Sequence, residues 1–420
     1  MALNWIWIGF FLTAFITAIV RWWLGEDGIF QALLTAMFDG ARSGFEISLG
    51  LAGIMALWLG LMRVGEKAGM IELLARVASP LLTRLFPGVP KGHPAQGAMT
   101  MNISANLLGL DNAATPLGLK AMRELQSLNT DNKDGPEAAS NAQIMFVVMN
   151  TAGLTLIPTS VIAIRQSVAL KQGLGANFNA ADIFLPTLIV TFISLLAGVM
   201  AVAVCQRLPI WRAKLLVPVL LVGGVLVAAV AALARLPAEQ AARIAGTTGA
   251  AFILGIVMLF LVVGAWRRVN VYDAFIEGAK EGFGVAIQIV PFLIAILVAI
   301  GVFRAAGCMD AILAAIGSGV TALGWNTDFL PALPVGLMKV LSGAGARGLM
   351  IDVLQTYGVD SFAGRLAAIV QGSTETTFYV LAVYFGSVGV RHTRHALTCA
   401  LFADAVGLIA AIGVGYAMLR

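Results

Sequence analysis

The chain has 420 residues, of which 59% are apolar and only 12% are charged, and its mean hydropathy is +0.90. A soluble domain carries about 25% charged residues, so this chain has too few charges to coat a globular surface. That shortage disfavours a soluble enzyme, a disordered scaffold and a nucleic-acid-binding domain. The net charge of +5 is typical of Lys and Arg retained in the cytoplasmic loops of a membrane protein.

Apolar segments close to the ~20 residues that cross a bilayer recur along the whole chain. They predict an all-α integral membrane protein with about nine transmembrane helices, at roughly 4–20, 44–63, 143–164, 182–205, 214–234, 246–266, 283–303, 364–388 and 396–418. The first segment lacks a preceding Lys or Arg and a following small-residue cleavage site. We therefore expect a retained helix there rather than a signal peptide.

Two further segments, 68–128 and 305–362, have short apolar stretches that Gly, Pro, Asn and Ser interrupt. They are poor spanning helices, yet they are too hydrophobic for water. Irregular backbone at membrane depth must be buried in protein or line a cavity. The pattern therefore predicts re-entrant or broken helices in both segments.

Loop charges predict the orientation of the chain. The segments RLPIWRAK (207–214) and RHTRH (391–395) carry Arg and Lys without any acid, which is typical of cytoplasmic loops. Alternating the crossings from these two loops places 121–142 and 267–282 inside and 21–43 outside. This assignment predicts a cytoplasmic N-terminus.

An internal repeat is visible in the sequence. GARSGF at 40–45 matches GAKEGF at 278–283, and without any gap Ala68-Gly69 then matches Ala306-Gly307. The predicted alternation gives the two intervening helices opposite directions. Two such halves form an inverted repeat, an architecture typical of secondary transporters.

Polar side chains in the first half are concentrated at two places. Within 101–126 and 150–155 we expect a substrate site lined by Asn102, Ser104, Asn106, Asn112, Thr115, Asn150, Thr151 and Thr155. Asn and Ser both donate and accept hydrogen bonds, which suits a polar organic ligand. The alternatives are an N-cap at Asp111 and Asn112 and Thr hydroxyls that bond to helix carbonyls. Gly153 and Pro158 predict a broken helix.

Glu375 is the most informative residue of the second half, because it lies inside a predicted crossing. An ionisable group there costs at least ~2.5–3.5 kcal/mol, which makes it a candidate functional group. We expect Glu375 to carry a coupling ion, with Asp111 and Asp404 as further candidates. The alternative is an ion pair with Arg347 or Arg365. Substrate-binding side chains are expected around it, at Gln371, Ser373, Thr374, Thr376 and Thr377.

The segment LSGAGARGLM at 341–350 satisfies the pattern GxGxxG, which indicates dinucleotide binding only between a strand and a helix. An all-α chain has no such unit. We therefore expect a flexible hairpin tip whose glycines let backbone approach closely. Ser342 and Arg347 would contribute to the substrate site, with Arg347 meeting an anionic group or pairing with an acid.

Other constellations are absent from the sequence. It has no Walker A motif for ATP and no GxSxG nucleophile motif, and its three histidines are too scattered for a metal-hydrolase site. We expect no enzyme activity, no cofactor, no metal site and no nucleic-acid partner. The three cysteines have no pairing pattern and are expected to serve as small packing residues.

Long motifs carry a resemblance to a known family. The runs NISANLLGLDNAATPLGLKAMRELQ and NTAGLTLIPTSVIAIRQ resemble spore maturation protein A, and QGSTETTFYVLAVYFGSVGVRHTRHAL resembles spore maturation protein B. The resemblance implies an A-like gate half at 1–165, joining helices at 166–269 and a B-like gate half at 270–420. It also implies a bacterial inner-membrane location and kinship with concentrative nucleoside transporters and ferrous-iron permeases.

These observations together predict a permease-like protein. It would carry a small polar solute, a nucleoside or a related organic anion, by alternating access, with H⁺ or Na⁺ as the candidate coupling cation. Its expected partners are the lipid bilayer, the solute, the cation and further copies of the chain. The first alternative is a membrane scaffold or regulatory protein that transports nothing. The second is a divalent-metal path using Cys308 and Cys399.

Overall fold

The computed structural model describes residues 2–109, 111–129, 135, 137–174, 178–208, 213–233, 235 and 238–419. Across these ranges the chain forms 17 α-helices and two short 3₁₀ helices, and no β-strand. The predicted cytoplasmic segments 121–142 and 207–214 each include residues outside the described ranges. The predicted all-α class is confirmed.

The 17 α-helices of the described residues are as follows in chain order. The first eight are α1 (Ala2–Trp23), α2 (Ile29–Lys67), α3 (Met70–Leu85), α4 (Pro94–Leu107), α5 (Asp111–Ser127), α6 (Asn141–Thr151), α7 (Thr159–Lys171) and α8 (Phe184–Cys205). The remaining nine are α9 (Ala213–Leu233), α10 (Ala238–Trp266), α11 (Val271–Ala305), α12 (Cys308–Ala322), α13 (Leu333–Leu341), α14 (Gly343–Tyr357), α15 (Phe362–Gly372), α16 (Thr377–Gly386) and α17 (Ala396–Met418).

Six of the described helices are long and apolar enough to span a bilayer: α1, α2, α8, α10, α11 and α17. The expected nine crossings are not confirmed: two of them are divided, and the apolar part of α9 that the structure describes, Val217–Ala232, is shorter than a full span. The segment 143–164 is split between α6 and α7, and 364–388 is split between α15 and α16. In the first break, Pro158 has no N–H to donate to a helical turn. The second break contains Gly372 followed by four hydroxyl or carboxyl residues.

The element order repeats along the chain. Helices α2 to α8 correspond in order to α11 to α17: a long helix, a second helix of 15 or 16 residues, two further helices, a pair divided by a break, and a final helix of 22 or 23 residues. Gly69 and Gly307 begin the second helix of each set with φ of 74° and 80°. The repeat seen in the sequence is therefore a repeat of structure.

The two long helices α2 and α11 pack against each other through glycines. A Cβ atom added at Gly44 would lie 2.9 Å from the Cα atom of Ile294, and one added at Gly282 would lie 2.8 Å from that of Ala56. The later residue of α2 contacts the earlier residue of α11, and the earlier residue of α2 contacts the later one. The two helices are therefore antiparallel. This agrees with the opposite directions expected for the two repeats.

Contacts divide the chain into two compact units. Unit 1 contains residues 1–60, 160–180 and 277–371, and unit 2 contains 61–159, 181–276 and 372–420. Each unit therefore draws on both repeats. The sequential segments 1–165, 166–269 and 270–420 remain a prediction about order along the chain.

Hydrogen bonds from side chains to backbone join the elements of unit 1. Arg165, fully buried in α7, donates to the carbonyl oxygen of Ala180 at 2.8 Å and lies over the Phe178 ring at 5.0 Å. Because Arg165 carries its charge into the interior, these carbonyl and ring contacts compensate for lost hydration. Trp7 of α1 donates to the carbonyl oxygen of Ala295 at 2.9 Å and attaches α1 to α11.

Unit 2 contains an apolar core formed by α3 to α6, α16 and the facing parts of α8 and α17. Small residues let α8 and α17 approach closely along their length. A Cβ atom added at Gly198 would lie 3.2 Å from the Cβ atom of Ala403. One added at Gly407 would lie 3.2 Å from both Ser194 Oγ and Thr374 Cγ2. Small residues at interfaces between membrane helices are typical of such packing.

A candidate polar site at the helix breaks

The breaks in the two divided helices meet each other in unit 2. The backbone N–H of Glu375 donates to the carbonyl oxygen of Thr151 across 2.8 Å. A Cβ atom added at Gly153 would lie 3.6 Å from the Cγ atom of Glu375, so glycine leaves room for this contact. The bond pairs two backbone groups that the breaks release from helical hydrogen bonding.

The connection between α4 and α5 joins the same place. Leu156 N–H donates to the carbonyl oxygen of Leu107 at 2.8 Å. Gly109 adopts φ of 71°, and a Cβ atom there would lie 2.8 Å from the carbonyl oxygen of Ile157. Only glycine combines this left-handed backbone with such a close approach at low cost. Three interruptions of helical backbone are therefore held together.

Asn150, the second-last residue of α6, connects the side chains around these breaks. Its Oδ1 atom accepts from Asn106 Nδ2 at 2.8 Å and from the Tyr384 hydroxyl at 3.3 Å, while its Nδ2 atom donates to the carbonyl oxygen of Phe146 at 2.8 Å. Asn102 Nδ2 donates to the carbonyl oxygen of Ala114 at 2.7 Å and lies 3.3 Å from the Tyr384 hydroxyl. We call Asn102, Asn106, Asn150 and Tyr384 the amide network.

Two polar atoms beside this network have unmet hydrogen-bonding capacity. Within the described part of the chain, Asn102 Oδ1 and Ser104 Oγ have no hydrogen-bond partner, and both residues are completely buried. Buried polar groups in proteins nearly always have a partner, and an unsatisfied one costs about 1–3 kcal/mol. An acceptor and a hydroxyl on α4 therefore have no partner within the described part of the protein.

A second polar group lies on α16 and α17. Thr377, at the start of α16, donates through Oγ1 to Asp404 Oδ2 at 2.6 Å, and both residues are buried. Ser194 of α8 donates to the carbonyl oxygen of Ala403 at 3.1 Å. Asp404 is therefore a buried carboxylate with a hydroxyl donor. The Glu375 side chain, by contrast, is exposed within the described structure.

The other predicted hydroxyl residues lie around the same breaks. Ser373, Thr374 and Thr376 are buried, and Thr115 and Thr155 are partly buried. Thr151 is buried, and its own hydroxyl donates to the carbonyl oxygen of Val148 at 2.9 Å. This is the back-bonding that we had expected as the alternative role. The side chains of Asp111 and Asn112 lie outside the described residues.

Three predicted site residues belong to unit 1: Ser342, Arg347 and Gln371. The expected hairpin is present, because α13 and α14 pack against each other and only Ser342 lies between them. An extended flexible tip at 341–350 is wrong, because Gly343 already begins the regular helix α14 and Ser342 Oγ accepts from Gly345 N–H at 3.0 Å. The expected close approach is present, since a Cβ atom at Gly345 would lie 2.9 Å from Met338 Cγ. Arg365, a proposed partner of Glu375, forms an ion pair with Asp360.

Sequence reasoning missed Tyr384, which completes the amide network. A usable signal was present, because Tyr384 follows Thr377 by seven residues and therefore lies on the same face of α16. Gly118 makes room for it, since a Cβ atom there would lie 2.2 Å from the Tyr384 hydroxyl oxygen. Across the described residues, no group of three His, Cys, Asp or Glu side chains could hold a metal ion.

Comparison with known proteins identifies the family. The profile of Gate, described as nucleoside recognition, matches residues 48–168 and 286–391, more than half of the chain. The chain belongs to the Gate nucleoside-recognition family. The starts of the two Gate matches, at 48 and 286, are separated by the same number of residues as Gly40 and Gly278. Each structural repeat therefore contains one match. The Gate profile thus supports the duplication independently.

Two curated relatives of this Gate protein come from Bacillus subtilis (strain 168). Spore maturation protein A is 39% identical over 168 residues, which is 40% of this chain and 80% of the relative. Spore maturation protein B is 43% identical over 152 residues, 36% of this chain and 84% of the relative. No solved structure matches. The bacterial relatives and the six apolar helices identify a multi-pass membrane protein of bacterial type.

Proposed function

We propose that this Gate protein is a secondary transporter that carries a small polar solute across the membrane by alternating access. Its substrate class is a nucleoside or a related organic anion, as the family description suggests. The observation that carries the proposal is the meeting of two broken helices beside a buried amide network. Transporters typically bind substrates where membrane helices are discontinuous.

The chemistry of the network supports a polar organic solute. Amide and hydroxyl groups both donate and accept hydrogen bonds, and Asn102 Oδ1 and Ser104 Oγ have no partner among the described residues. A solute N–H or O–H group beside the amide network would satisfy Asn102 Oδ1, whereas Ser104 lies on the opposite face of α4. The remaining predicted residues of unit 2, at 373–377, are proposed to contribute to substrate binding. Ser342, Arg347 and Gln371 belong to unit 1 and are not part of this proposal.

Coupling to a proton or a sodium ion is proposed to involve Glu375, with Asp404 and Asp111 as further acidic groups. The Glu375 backbone is bonded to Thr151 at the contact between the two breaks. Binding of a cation to its carboxylate would therefore change the charge beside that contact. A small change there can alter both broken helices together.

The test is uptake by purified protein in liposomes, with labelled nucleosides or organic acids and an imposed proton or sodium gradient. We expect gradient-dependent uptake by the wild type and its loss in Glu375→Gln, because the amide cannot take up a proton or neutralise a cation. Folding is followed by thermal unfolding. Glu137→Gln is the matched control, since Glu137 has a 53% exposed side chain away from the breaks.

Full coupled uptake by Glu375→Gln would contradict the role of Glu375 and leave transport itself intact. The proposed function is contradicted by a different result, the absence of both uptake and ligand stabilisation in folded wild type. A ligand of the folded state should raise stability by about 2.7 kcal/mol at one hundred times its dissociation constant. A flat response would favour the scaffold alternative.

A further inference from the structure

Cys205 and Cys399 are far apart in the sequence but adjacent in unit 2. Cys205 is the last residue of α8, and Cys399 lies near the start of α17. Their Sγ atoms are 3.9 Å apart. Both thiols are free, as is that of Cys308 in unit 1. The spacing of the cysteines in the sequence does not reveal this pair.

The packing of α8 on α17 holds the two thiols in place from both sides. On one side, Ser194 Oγ donates to the carbonyl oxygen of Ala403 at 3.1 Å. On the other side, Gln206 Nε2 lies 3.3 Å from His395 Nε2 and also donates to the carbonyl oxygen of Asn141 at 2.9 Å. The proximity of the sulfurs therefore follows from the register of the two helices.

The two thiols differ in their access to reagents. Cys205 is exposed at the end of the apolar span of α8, where the polar residues Gln206 and Arg207 follow, whereas Cys399 is only 3% exposed. An exposed thiol reacts with a reagent in solution, and a buried thiol beside it is shielded from that reagent. Such a pair has one attacking cysteine and one resolving cysteine.

We propose that Cys205 and Cys399 form a reversible disulfide that fastens α8 to α17. The oxidant class is a small-molecule disulfide, RSSR. The Cys205 thiolate attacks one sulfur of RSSR, breaks its S–S bond and releases one RS⁻, which takes up the proton lost by Cys205. The Cys399 thiolate then attacks the Cys205 sulfur and releases the second RS⁻, which takes up the proton of Cys399. Two protein thiols are oxidised and one RSSR is reduced to two RSH.

Closure must bring the sulfurs from 3.9 Å to the disulfide length of about 2.05 Å. Rotation of the two side chains about their χ1 angles is the movement that the proposal requires. The bond would link residues 194 positions apart. It would also restrain α17 beside Asp404, the residue that accepts from Thr377.

The experiment counts free thiols in the full-length protein in detergent. The protein is incubated with oxidised glutathione, denatured and labelled with a maleimide polymer that adds a resolvable mass to each free thiol. We expect three adducts on reduced protein and one on oxidised protein, with the loss reversed by dithiothreitol. Peptide mass spectrometry should identify a peptide pair linked through Cys205 and Cys399.

Variants distinguish this bond from other thiol chemistry. Cys205→Ser should show two adducts with or without oxidised glutathione. Cys399→Ser has no resolving cysteine, so glutathione should stay on Cys205 and the count should fall from two adducts to one. The control Cys308→Ser should change from two adducts to none. Three adducts on oxidised wild type would overturn the proposal. Glutathione retained on Cys205 of the oxidised wild type would also overturn it, because Cys399 would then have failed to resolve the mixed disulfide. A disulfide-linked dimer of the wild type on a non-reducing gel would overturn it as well.

Discussion

Asn150 is the residue on which the polar interior of unit 2 depends. Its single side chain uses both ends of the amide, with Oδ1 shared between Asn106 and Tyr384 and Nδ2 bound to a carbonyl oxygen of its own helix. A nonpolar residue there would leave two donors without their acceptor. Asn150 is also the second-last residue of α6, so its side chain lies where the helix ends.

Removing the Tyr384 hydroxyl should weaken this network. In Tyr384→Phe, Asn150 keeps its bond from Asn106 but loses the one from Tyr384, and Asn102 loses a neighbour. We expect a loss of about 0.5–1.5 kcal/mol in the free energy of unfolding, seen as a lower midpoint of thermal or denaturant unfolding. Tyr379→Phe is the control, because Tyr379 is 59% exposed. Equal effects of the two variants would contradict the network.

Some of this site could be predicted from residue types alone. Gly153 with Pro158 predicted the first break, and Asn or Ser within apolar helices indicated a polar interior. The partners could not be predicted, because Tyr384 lies 282 residues from Asn102 and 234 from Asn150. Local patterns predict where helices begin and end, whereas contacts at such separations depend on how the whole chain folds.

At the scale of elements, glycine decides how closely α2 and α11 approach. Gly44 and Gly282 occupy matching positions in the two repeats, and each faces backbone of the opposite helix. The match between GARSGF and GAKEGF in the sequence therefore has a structural reason. The two matching segments thus both contribute to the interface between α2 and α11.

A methyl group at Gly282 should be costly for this contact. In Gly282→Ala the new Cβ atom would lie 2.5 Å from the Met55 carbonyl oxygen, and backbone cannot move aside easily. We expect a loss of about 1–3 kcal/mol in the free energy of unfolding, typical of overpacking. Gly284→Ala, two residues along the same helix, has nothing within 4 Å of the new Cβ atom and should be neutral or stabilising. Unfolding midpoints of the two variants provide the comparison.

At the scale of the whole molecule, neither repeat forms a compact unit on its own. Unit 1 combines residues 1–60 and 160–180 with 277–371, and unit 2 combines 61–159 with 372–420. The duplication could be predicted from the sequence, because the repeats preserve local motifs. The distribution of each repeat over both units could not be predicted. A helix has the same apolar pattern in the sequence whichever unit it packs in.

Dividing the chain between the repeats tests this arrangement. Fragments 1–235 and 236–420 each lack segments that both units require. We expect either fragment alone to accumulate several-fold less in membranes than the pair, and the co-expressed fragments to purify together through a tag on one of them. A single fragment that unfolds cooperatively and resists protease would contradict the prediction. The uncut chain carrying the same tag is the reference.

The reciprocal glycine contacts have a consequence for the symmetry of the interface between the repeats. Gly44 meets Ile294 while Gly282 meets Ala56, so each copy presents the same surface to the other. Such self-complementary contacts define an isologous interface, the kind that joins two identical subunits about a two-fold axis. The surface around this glycine in one repeat is therefore suited to contact a second copy of the same surface running in the opposite direction.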